Sequence, residues 1–176
     1  MKILYFSPFS YIRDFAFPEA STIKTLIEKG HDVTRIACNK TFSSYCTSMK
    51  SISLDPNSDD SIKKKICDQC ILNSKSISNI KGLNTIKTSD LISKKQKANI
   101  SDYINSLSIE NFDFNSFYGS VNLNKIAFYE VILRFKINNV LKLDKDQFKY
   151  FKNELKNCYI SWTIGENFKK ISQNDV

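Results

Sequence analysis

Apolar residues open the chain as short continuous runs and recur later at helical spacing. Residues 2–7, Lys-Ile-Leu-Tyr-Phe-Ser, make an apolar run closed by Pro8, the mark of a buried strand. Pro18 suits the first turn of a following helix, where a missing N–H costs nothing. Ala20, Ile23, Leu26 and Ile27 continue at helical spacing, and Gly30 supplies the stop. After His31-Asp32, the β-branched run Val33 to Cys38 predicts a second strand. Strand, helix and strand with short connections predict a right-handed βαβ unit, hence a parallel sheet with helices on its faces.

The middle of the chain is less regular. Ser, Asn and Asp dominate to residue 60, where Asp60 or Ser61 caps a helix carrying Ile62, Ile66, Cys70 and Ile77. Ser89-Asp90 begins another, with Leu91, Ile92, Ile100, Tyr103, Ile104 and Leu107 apolar. Residues 112–120 read as a turn or short hairpin. A helix from Val121 to about Leu141 aligns Ile126, Tyr129, Leu133 and Ile137. Asp144 with Gln147 forms a capping-box pattern before a long helix whose core positions are Phe148, Phe151, Leu155, Tyr159 and Trp162. Only two strands are clear, so either the central region holds short strands or further sequence completes the sheet. The expected organisation is one α/β domain over 1–176, with a Cys/Lys-rich insertion at about 38–100 and a long helix from about 144.

Composition changes the picture in two places. No apolar run approaches the length of a membrane span, and the N-terminus is a poor signal peptide because Arg13 and Asp14 precede any small-residue cleavage site. The net charge of +8 invites a nucleic-acid partner. Location argues against it. Nine of the 26 basic residues are lysines within 61–100, facing only Asp68 and Asp90, while the rest of the chain is near neutral. Arginine, the residue suited to bidentate phosphate contacts, occurs only as Arg13, Arg35 and Arg134. The lysine-rich segment reads as a solvated helical face or as a patch for phosphate or anionic lipid.

Candidate chemistry is sparse. The loop from Ser7 to Phe17 has no glycine, which removes a dinucleotide fingerprint, and no P-loop exists. That loop sits at the carboxyl end of a strand, where open α/β sheets place ligands, and its polar candidates are Ser10, Arg13, Asp14 and Glu19. The single histidine, His31, has no sequence-near partner for base catalysis and reads as a turn residue. Cys38, Cys46, Cys67 and Cys70 follow C-x7-C-x20-C-x2-C. Four thiolates can hold structural zinc or an iron–sulfur cluster, and metal would replace the core missing around the polar 47–60 stretch. Buried thiols are the competing reading, and Cys158 on the last helix is taken as one. An odd cysteine count without a signal implies a reducing, cytoplasmic compartment.

The stretches Met1 to Phe9, Glu19-Ala20 and Leu26-Ile27-Glu28-Lys29-Gly30-His31-Asp32-Val33 resemble the N-terminal lobe of GT-B glycosyltransferases. The cysteine set with Lys65-Ile66-Cys67-Asp68-Gln69-Cys70, and Gly119 to Glu130 running into Leu133-Arg134-Phe135, resemble the bacterial capsule and lipopolysaccharide biosynthesis members. The resemblance implies a Rossmann-like α/β lobe that holds a glycan or lipid-linked acceptor, with Ser10, Arg13, Asp14 and Glu19 where acceptor is met. It implies a nucleotide-sugar donor bound by a second lobe or a partner chain. No residue here matches a donor-binding motif, so the lobe is expected to be incomplete as a transferase and to work at the inner face of the membrane. The alternative expectation is a metal-stabilised interaction module that docks on a partner or anionic surface through 61–100.

Overall fold

The computed structural model describes residues 1–110, 112–137 and 143–174. The chain is α/β and divides into two compact units, Met1–Asp90 and Leu91–Val176.

The first unit is a parallel sheet with helices. Strand β1 (Lys2–Phe6), helix α1 (Arg13–Glu28) and strand β2 (Asp32–Ala37) form the expected βαβ unit. The short α2 (Thr47–Lys50) and the long α3 (Asp60–Ser78) lead to a third strand, β3 (Asn84–Lys87). The strand order is β1-β2-β3, all parallel, with Ile3 opposite Val33 and Ile36 opposite Ile86. The central region therefore does hold a short strand. One face of the sheet meets α1 and α3 in a core of Ala16, Ile23, Val33 and Ile77. Ile23 and Val33 are fully enclosed, each worth about 1.5–3 kcal/mol of burial. β1 is an edge strand, and Leu4 and Phe6 remain about half exposed, so it is less buried than its composition implies.

Local chemistry explains the boundaries. Gly30, at φ +81°, donates its N–H to the Ile27 carbonyl while His31 N–H reaches Leu26, which closes α1 with a Schellman motif. The start of α1 differs from expectation: the helix begins at Arg13, so Pro18 lies inside it. Thr22 Oγ1 donates to the Pro18 carbonyl at 2.9 Å. Asp59, one residue earlier than predicted, caps α3 by accepting from the Ser61 N–H at 2.6 Å. On α3, Ile66 and Ile77 are buried but Ile62 is exposed.

The second unit is helical. The helix expected from Ser89-Asp90 starts later: residues Thr88–Asp90 form a 3-10 turn, and α4 runs Lys94–Ser106. Ser93 and Gln96 cap α4 reciprocally in a capping box. Tyr118 and Val121 make an isolated antiparallel bridge, as the expected turn requires. Helix α5 (Leu123–Phe135) ends with Lys136 in the left-handed region at φ 55°. The helix expected to run on to about Leu141 stops at Phe135: the left-handed turn at Lys136 ends it, Ile137 is not helical, and 138–141 lie outside the described residues. The aligned stripe Ile126, Tyr129 and Leu133 is exposed, and α5 instead buries Leu123, Asn124, Ala127, Phe128 and Val131. Both stripes are apolar, so periodicity could not choose between them.

Helix α6 (Lys145–Asn174) behaves as predicted. Asp144 N–H donates to Gln147, and Gln147 N–H donates back to the Asp144 carboxylate at 2.8 Å. Phe148, Phe151, Leu155 and Tyr159 are buried while Trp162, expected in the core, is only partly so, and Phe112 packs on Phe151 with ring centroids 4.8 Å apart. Among the described residues, no helix is long and apolar enough to cross a membrane.

Candidate functional site

The polar features of the first unit converge where β1 ends. Ser7 N–H still donates to the Ile36 carbonyl, and Cys38 N–H donates to Pro8, so strand pairing continues into the loop and fixes it. Beneath the loop lies Arg35, at an inward position of β2 and fully buried. Its Nη2 donates to Ser10 Oγ at 2.7 Å and to the Ser7 carbonyl at 3.2 Å. Its Nη1 donates to Ser74 Oγ at 3.0 Å, with longer contacts to the Ser74 carbonyl and Ser78 Oγ. One guanidinium thus ties the β1–α1 loop to α3. Burial lowers the Arg35 pKa from its ordinary value, opposed by the negative Glu19 and by Cys70. Asn73 completes the tie by donating to the Ser10 carbonyl at 2.8 Å.

The four residues expected to meet an acceptor do not share one surface. Ser10 is enclosed and serves Arg35. Glu19, half-buried, accepts a hydrogen bond from the Ser7 hydroxyl. The pair lines a cleft of about 380 Å³ with Phe6, Phe9, Ile12, Thr47 and Ser48. Arg13 and Asp14 are exposed and line a larger groove of about 1020 Å³ between α1 and α3, with Phe17, Lys24, Asn73 and Ile80. Sequence reasoning missed Ser7, Arg35, Thr47 and Ser48. A charged residue at an inward position between Val33 and Ala37 was the available signal for Arg35.

The four cysteines of the first unit do come together. Cys38 follows β2, Cys46 precedes α2, and Cys67 and Cys70 share one turn of α3. All four line a single cavity of about 20 Å³ with Phe9, Phe42 and Ile66 among its walls. The Ser10 N–H donates to Cys70 Sγ at 3.2 Å. Burial pushes the Cys46 and Cys70 thiols up and takes Cys67 to about 11. Lys40 also lines the cavity and bonds Asp68 at 2.6 Å. All five cysteines are free, and among the described residues no three His, Cys, Asp or Glu side chains are arranged to hold a metal ion as they stand.

The lysines of 61–100 are dispersed rather than gathered. They fall on α3, on β3 with its preceding turn, and on α4, and those of α4 belong to the second unit. Lys63 is buried, with Nζ donating to the Pro56 carbonyl at 2.6 Å and to Asp60. Compared with family models, curated proteins and solved structures, the chain has no significant match.

Proposed function

We propose that this chain is the acceptor-side lobe of a glycosyltransferase in surface-polysaccharide biosynthesis. The observation that carries the reading is the cleft at the carboxyl end of β1, where the Ser7 hydroxyl and Glu19 carboxylate lie among apolar walls. Open α/β sheets bind ligands at that end of their strands. A carboxylate and a hydroxyl accept and donate to sugar hydroxyls, and the rings of Phe6 and Phe9 offer flat apolar surface to a sugar's C–H face. A volume of about 380 Å³ lies within the range of small-ligand pockets and suits one or two sugar rings.

The β1–α1 loop has no glycine through which backbone could approach a diphosphate, so the donor side belongs to another lobe or a partner chain. The lipid-linked form of the acceptor, contact with the inner face of the membrane and a cytoplasmic setting are parts of the same proposal. The free thiols are in keeping with a reducing compartment.

Calorimetry on the full chain tests the division of labour. Short oligosaccharides should bind, and UDP- or GDP-sugars should not. Tight nucleotide-sugar binding without glycan binding would overturn the assignment.

A further inference from the structure

We infer that Cys38, Cys46, Cys67 and Cys70 form a tetrathiolate site for one zinc ion. Three separate segments of the fold deliver these thiols to one cavity: the end of β2, the start of α2, and one turn of α3. The wide first spacing, which departs from a compact zinc knuckle, is closed by tertiary structure instead of by a local turn. Cavity size selects the occupant. About 20 Å³ accommodates roughly one water-sized body, which suits a single ion better than a cluster of several iron and sulfide atoms. Four soft thiolates with no geometric demand from the metal are what zinc takes in structural sites.

Two features bear on charge beside the cysteines. Arg35 is fully buried, yet its hydrogen-bond partners are all neutral hydroxyls and carbonyls, and its Nε has no partner. A buried cation served only by neutral groups is costly unless an anion lies near it. Glu19 is the carboxylate whose charge acts on it, and Ser10, which accepts from Arg35, also donates its N–H to Cys70 Sγ. Second, the Ser10 N–H already points at Cys70 Sγ, a donor suited to a thiolate. A zinc tetrathiolate carries two negative charges, which Lys40 in the cavity wall would partly offset, with Arg35 joined to Cys70 through Ser10.

Binding requires rotation of the cysteines about Cα–Cβ and the loss of four protons. Zn²⁺ and four thiols give one Zn(S-Cys)₄ dianion, with four H⁺ passing to solvent. The consequence reaches the neighbouring cleft. Ser48 lines both cavities, and Cys46 leads directly into Thr47 and Ser48. A metal that fixes Cys46 therefore fixes one wall of the cleft. The inference stands on the cysteine cavity and is independent of the acceptor reading.

The test is made on the full chain, purified under reducing conditions and supplied with Zn²⁺, then with Co²⁺. Elemental analysis should find one zinc per chain. Cobalt loading should give the intense visible bands and thiolate-to-metal charge transfer of tetrahedral sulfur coordination. The double variant Cys67→Ser/Cys70→Ser should lose both signals, and Cys158→Ser should keep them. Folded wild-type protein without stoichiometric metal would overturn the inference. So would stoichiometric iron with sulfide, or zinc retained by the double variant. The cobalt spectrum of wild-type protein decides even if the double variant does not fold.

Discussion

Replacing Arg35 with methionine removes the group that joins the β1–α1 loop to α3. Methionine fills the stem but offers no donor, so three short contacts are lost: Ser10 Oγ, the Ser7 carbonyl and Ser74 Oγ. An orphaned buried acceptor costs about 1–3 kcal/mol. Ser74 sits inside α3 and can turn its hydroxyl back to a helix carbonyl, which recovers part of one loss. Removing the guanidinium also returns some of its desolvation cost. The balance is a loss of about 3 kcal/mol, a large share of the ~5–10 kcal/mol expected for a unit of this size. Such a loss lowers the midpoint of the first unit by roughly 10–20 °C. The single tryptophan, Trp162, lies in the second unit, so the first is read by another probe. Amide hydrogen exchange at Val33 and Ile36 in β2 reads it directly, and lysine at position 35 should give an intermediate loss. A change below about 1 kcal/mol in β2 protection would refute the assigned role of the guanidinium.

Three further outcomes follow from other parts of the fold. Gly119→Ala should destabilise the second unit by about 1–3 kcal/mol, because φ is +63° and the new Cβ would stand 3.2 Å from Trp162 Cζ2; tryptophan fluorescence during urea unfolding checks it. Ser93→Ala breaks the capping box of α4 and should cost about 1 kcal/mol, seen as faster exchange of the first-turn amides of α4 with β2 unchanged. Stripping the inferred zinc should lower the first unit's stability by about 2.7 kcal/mol relative to free zinc at 100 times its dissociation constant. Hydrogen exchange around Thr47–Met49 should rise with it, and unchanged exchange after full removal would contradict the inference that metal fixes Cys46.

The parts of this fold legible in the sequence are those where one physical signal dominates. The β1–α1–β2 unit announces itself through two apolar runs, a helical stripe and Gly30. α6 does so through its capping box and Phe148, Phe151, Leu155 and Tyr159. β3 was hidden because Asn84-Thr85-Ile86-Lys87 carries a single apolar residue, and its strand conformation comes from pairing with β2. The start of α1 was hidden because Ile12 caps it without a side-chain bond and Pro18 interrupts the helical reading. Charge patterning named a lysine segment, yet the chain spreads it over several elements of two units. For the candidate site, spacing grouped the four cysteines that line one cavity. It could not show that Ser10 serves Arg35, since that bond joins residues 25 apart in sequence.

Chemical-shift mapping of the ¹⁵N-labelled full chain against a panel of short oligosaccharides tests the central claim most directly. The account predicts saturable changes at Phe6, Ser7, Phe9, Glu19, Thr47 and Ser48, lost in Glu19→Gln while the spectrum of the remaining chain is preserved. Saturable binding centred on the Arg13 and Asp14 groove, or no response to any glycan, would contradict it.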